Sequence, residues 1–191
     1  MGSFSNINKK NEIVLNTENI VFNKNQLMGK FEEFILVNGF KVKIWNSIQK
    51  SPFEITINDG KSDYYLVAFL KSLSLSGWKE KPNIKRVQVP NIRKIDEKKY
   101  IDTTLKQTFV ILGYYEFDDN PIMVAWNAYK FVLHNTLRSC YVNLTSLQTG
   151  YRLGYFECND SKQKHWIFTS GNFGLFLEKY IEYNKVCENY E

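Results

Sequence analysis

Lys79, Lys81, Lys85, Arg86 and Arg93 follow one another closely, with Glu80 as the single acid among them and Trp78 at their head. Ammonium and guanidinium groups at this density attract a polyanion, and an indole among them adds a flat apolar surface. Nucleic acid has both properties, so the first chemistry these residues suggest is contact with a phosphate backbone. In that reading the five bases touch phosphates and Trp78 packs against a sugar or a groove wall. The plain alternative is a solvated basic loop whose charges serve solubility alone.

A second polar stretch lies between Trp126 and Asn143 and holds His134, Asn135, Thr136, Arg138, Ser139 and Tyr141. Asn and Arg can pair bidentately with adenine and guanine edges, while Thr and Ser reach bases or phosphates. Asn135, Thr136, Arg138 and Ser139 are therefore the candidates for base contacts, with Tyr141 supporting them. Two arms carrying these stretches on one curved sheet would grip a duplex from both sides.

Catalysis finds less support. Metal-dependent nucleases need an acid followed, a strand later, by an acid-x-Lys pair. Glu157-Cys158-Asn159 has no Lys in that place, Asp160-Ser161-Lys162 falls in an expected turn, and Asp118-Asp119-Asn120-Pro121 is accounted for as turn chemistry. Asp63 with Glu54 remains open. No phosphate-binding glycine loop or dinucleotide fingerprint is present. Cys140, Cys158 and Cys187 include no CxxC pair, and with His134 and His165 they match no compact zinc spacing. No catalytic residue, metal site or cofactor is expected. Tyr64-Tyr65, Tyr114-Tyr115 and Tyr151 with Tyr155 could stack single-stranded bases, although sheet-face packing explains aromatics of this kind as well.

The elements that would position these groups are mostly strands. Phe34–Val37, Asn38-Gly39 and Phe40–Trp45 read as a hairpin, and Phe53–Ile57 as a further strand. Tyr64 to about Leu75, apolar nearly all round and closed by Gly77, reads as a buried core helix, with the basic loop directly after it. Lys85–Val89, Thr108–Phe117, Ile122–Trp126 and Cys140–Asn143 read as strands. A short helix from Thr145 or Ser146 to Thr149 should precede Gly150. Gly154–Cys158 and His165–Thr169 read as a hairpin, and Asn172 to about Val186 as an amphipathic helix capped by Ser170. The expected fold is α+β and β-rich: a curved sheet or partial pseudobarrel with one core helix and a C-terminal helix. Residues 1–28 read as a loosely ordered N-terminal arm and 29–191 as a single domain of the DNA-binding type.

Bulk properties agree with a folded chain. The 191 residues are 43% hydrophobic and 16% aromatic, enough for one buried core. Between Lys79 and Lys99 eight bases face three acids, so this stretch carries as much excess charge as the whole chain, whose net charge is +5. The leading residues show no apolar signal core and no run approaches membrane-spanning length. The expectation is a soluble cytoplasmic protein with no membrane partner.

The run IMVAWNAYKFVLHNTLRSCY, from Ile122 to Tyr141, and TSGNFGLFLEKY near the end resemble proteins encoded beside bacterial DNA methylases in restriction-modification loci. The arrangement is also similar to the pseudobarrel recognition domains of some restriction enzymes, which are related to a plant transcription-factor domain. The resemblance spans about Tyr64 to Tyr180. It implies a two-armed DNA binder, with Trp78–Arg93 and His134–Tyr141 as the arms. The function expected is sequence-specific binding of double-stranded DNA within a restriction-modification or defence system, with a nuclease or methylase subunit as a separate partner. The alternatives are a magnesium-dependent type II restriction endonuclease and a protein-interaction domain that touches no nucleic acid.

Overall fold

A strand that is apolar on both faces belongs in the interior of a layered structure, and several segments of this chain meet that condition. A computed structural model describes residues 4–16, 19–47, 52–78, 80–89, 107–116, 118–119, 121–129, 139–159 and 163–188. In chain order its elements begin with β1 (Phe4–Ile7), β2 (Ile13–Asn16), α1 (Lys24–Leu36), β3 (Lys41–Ser47), β4 (Phe53–Asn58) and β5 (Asp63–Ser72). Next come β6 (Ser74–Leu75), β7 (Ile84–Gln88), β8 (Gln107–Tyr115), β9 (Ile122–Asn127) and β10 (Ser139–Asn143). The last are α2 (Leu144–Leu153), β11 (Tyr155–Cys158), β12 (His165–Phe168) and α3 (Phe173–Glu188).

Strands β5, β8, β9 and β12 are buried on both faces, and β9, β8 and β5 form the middle of a seven-stranded sheet ordered β11-β12-β9-β8-β5-β4-β3. β5 and β8 run parallel, and the other neighbours are antiparallel. Alternation sorts the side chains into two cores. Leu66, Ala68, Val110, Leu112, Met123 and Ala125 face α1 and α3. Val67, Phe69, Phe109, Ile111, Val124 and Trp126 face a second layer made of β1–β2, α2 and a three-stranded sheet ordered β10-β7-β6. The sheets are curved but do not close into a barrel. The fold is thus α+β and strand-rich, with a C-terminal helix.

Double-sided burial explains why the segment after Ser62 misleads. Expected as a core helix, Tyr64–Leu75 is the strand β5 followed by β6. A strand covered on both faces presents the same unbroken apolar run as an encircled helix, so periodicity cannot separate them. The expected hairpin at Asn38-Gly39 is also corrected. Its first arm is the end of α1, which starts in a capping box between Asn23 and Gln26 and buries Leu27, Phe31, Phe34 and Ile35. Gly39, at φ 79°, donates its N–H to Leu36 O and closes the helix. Positive φ serves a helix C-cap as well as a hairpin turn.

The leading segment contributes to the core. β1 pairs with β2, Ile7 is buried, and the backbone of Lys9 bonds to Asp118 across the fold. The other expected strands hold within a residue or two, including the β11–β12 hairpin. α2 runs past Gly150 to Leu153 and is capped by Gly154 at φ 77°, while Gly150 packs against Ile167, whose side chain leaves no room for a Cβ.

Candidate nucleic-acid interface

The five residues Ile84–Gln88 alternate between two environments, and that alternation decides what the basic stretch can present. Lys85 and Val87 are buried toward the large sheet, while Arg86 is partly exposed and Gln88 exposed. β7 fits close to the large sheet because Gly113 of β8 has no side chain. A Cβ there would stand 2.9 Å from both Leu73 and Val87 and 3.0 Å from Trp126.

On the outer face, register aligns Ser74 of β6, Arg86 of β7 and Tyr141 of β10 in one row. Gln88 and Ser139 form the next row. The loop after β6 turns at Gly77, φ 84°, where Ser76 Oγ accepts the Trp78 N–H at 3.2 Å. This turn lays Trp78 on Tyr141 with ring centroids 4.8 Å apart and planes 19° apart. Lys81 Nζ stands 5.2 Å from the indole centroid, and Trp78 stays 44% exposed. An aromatic stack with two cations at its border can meet a surface that is both anionic and flat-sided.

The two stretches singled out in the sequence therefore meet, as the adjacent strands β7 and β10. Where they are described they form one platform and not opposed jaws, since a backbone ladder joins them from Ile84↔Asn143 to Gln88↔Ser139. Trp78, Lys81, Arg86, Ser139 and Tyr141 belong to this platform. Lys79, Arg93, Asn135, Thr136 and Arg138 lie outside the described residues.

Lys85 is the correction. Expected to touch phosphate, it is 1% exposed and points inward, its Nζ donating to Asn6 Oδ1 at 2.7 Å and standing 5.8 Å from the Tyr115 ring centroid. The Tyr115 hydroxyl accepts the Ile7 N–H at 3.0 Å and reaches Asn6 Oδ1 at 3.4 Å. Burial pulls the Lys85 ammonium from its ordinary 10.5 down to about 8, and pushes the Tyr115 hydroxyl up to about 12. Lys85 thus ties β1 to β7 beneath the platform. A period-two reading of Ile84-Lys85-Arg86-Val87-Gln88 carries the signal, because Lys85 and Arg86 cannot share a face and Val87 marks the inner one. Nothing in the sequence pointed to Asn6 as its partner.

Other candidates are less suited. Tyr114 and Tyr115 are 2% and 5% exposed, which removes both from any base-stacking surface. The Tyr64 and Tyr65 hydroxyls donate to Asp59 and Glu54, and Tyr155 donates to Glu157. Among the described residues no group of three or more His, Cys, Asp or Glu side chains is arranged to hold a metal ion. Among the same residues no helix is long and apolar enough to cross a membrane.

No curated protein and no solved structure matches the chain. A family model does, and it covers the platform, from the first residue of β5 to the early turns of α3. The match to methylase-associated X1 spans residues 63–177, more than half of the sequence, and the protein belongs to that family.

Proposed function

We propose that the protein binds double-stranded DNA sequence-specifically, as the recognition module of a restriction-modification or similar defence system. The observation that carries this reading is the Trp78–Tyr141 stack with Lys81 and Arg86 at its border, exposed on one face of the β6–β7–β10 sheet. Lys81 and Arg86, with Lys79 and Arg93 from the same stretch, supply phosphate contacts. Trp78 packs on the groove wall. Asn135, Thr136, Arg138 and Ser139 read bases, and Tyr141 supports them. Family membership fits a restriction-modification setting and makes a methylase the expected protein partner.

The test is fluorescence anisotropy on a pool of random duplexes, unmethylated and methylated, at two salt concentrations, followed by sequencing of the retained DNA. Salt-sensitive binding that enriches a short site is the expected result. Flat anisotropy at low salt would leave an interaction domain for a protein partner. Plasmid incubated with the protein and magnesium stays intact if the chain only binds, and is cut if it is an endonuclease.

A further inference from the structure

Resting on the duplex-binding reading above, we infer that Arg86 holds one particular backbone phosphate in a built seat, whereas Lys81 contributes only diffuse charge. Arg86 lies on the middle strand of the small sheet, paired on one side with Ser74 and on the other with Tyr141. Its main chain is therefore held from both sides, with Ser74 Oγ at 3.4 Å from its carbonyl oxygen. The guanidinium runs under the turn at Gly77, where Nη2 is 3.9 Å from the point a Cβ would occupy. The side chain is partly buried, and its Nε has no hydrogen-bond partner among the described residues.

No carboxylate of the described residues forms an ion pair with Arg86, unlike Lys30, Lys43 and Lys164, which pair with Glu116, Asp63 and Glu157. A partly buried guanidinium whose Nε has no acceptor is costly until an anion offsets its charge. Its planar fork suits two oxygens of one tetrahedral phosphate, a geometry that an ammonium does not reproduce. The stacked rings of Trp78 and Tyr141 beside it offer a wall for the adjoining sugar. Lys81 sits in the loop, exposed, with the indole as its partner and no strand to fix it.

The experiment compares wild type, Arg86→Lys, Arg86→Gln and Lys81→Arg by anisotropy on a short mixed-sequence duplex across a salt series. Arg86→Lys keeps the charge yet should lose roughly tenfold in affinity, the worth of a charge-assisted hydrogen bond. Lys81→Arg, which also keeps the charge, should change affinity less than Arg86→Lys does, as an exposed point charge allows. Arg86→Lys binding as wild type does, while Arg86→Gln is weaker, overturns the seat and leaves the duplex reading standing. Absence of salt-sensitive binding by wild type overturns both. The unsubstituted protein gives a second measurement that needs no variant to fold. Bound duplex should shield Arg86 from phenylglyoxal, read by mass spectrometry, and equal reaction of Arg86 in free and bound protein refutes the seat.

Discussion

Trp78 and Tyr141 stack with ring centroids 4.8 Å apart, joining the loop after β6 to the middle of β10 on one surface. Neither ring is held by its own element. The Gly77 turn delivers one and the β7–β10 ladder the other, so the stack reports that the small sheet is assembled.

That coupling is measurable. In a double-mutant cycle of Trp78→Ala and Tyr141→Ala, urea unfolding should give an interaction energy of about 0.5–1.5 kcal/mol, as for stacked aromatic pairs. Strict additivity would mean the rings touch without supporting each other.

Lys85 and Arg86 are chain neighbours on opposite faces, so their substitutions should separate. Arg86→Gln should weaken duplex binding and flatten the salt slope by about one unit. Lys85→Met should leave that slope unchanged, because its ammonium is buried against Asn6. Equal slope changes in both would argue that Lys85 swings outward on binding.

The same lysine makes stability depend on pH. Its folded-state value, about 8, is below the ordinary 10.5, so the neutral amine is favoured in the fold. Below pH 8 the folded state carries the full cost of the buried charge, and above 10.5 none. Stability should therefore rise between these limits, by roughly 3 kcal/mol. Urea melts of wild type against Lys85→Met across this window isolate the effect, since Tyr115 titrates higher, at about 12. Parallel curves for the two proteins would contradict it.

Gly113 permits the small sheet to lie against the large one. Gly113→Ala forces a methyl to within 2.9 Å of Leu73 and Val87, and overpacking of this kind costs roughly 1–3 kcal/mol. A lower thermal midpoint together with weaker duplex binding is expected. Unchanged stability would show that β7 can shift outward freely.

If Arg138 reads a base as proposed, Arg138→Ala should cost about 1–3 kcal/mol on a selected site and relax the preference there. Competition between the selected site and random duplex measures it. Equal losses on both would move Arg138 to the backbone.

Much of this protein was legible in its residues alone. Thr108–Phe117 and Ile122–Trp126 read as strands because β-branched and aromatic side chains fill a pleated surface on both sides. The density of bases after Trp78, and the family to which residues 63–177 belong, were equally visible. Tertiary structure alone decided the rest. Whether Tyr64–Leu75 winds as a helix or extends depended on a second layer to cover its other face. Asn38-Gly39, with its demand for positive φ, became a helix end because Phe31, Phe34 and Ile35 had an apolar face of α3 and the sheet to bury against. The fate of Lys85 was settled by Asn6, far away in the chain, which offers an oxygen that makes burial of that amine bearable. Local sequence records which groups a segment carries. Only long-range pairing determines which of them face water, because that choice belongs to the partner surface as much as to the segment.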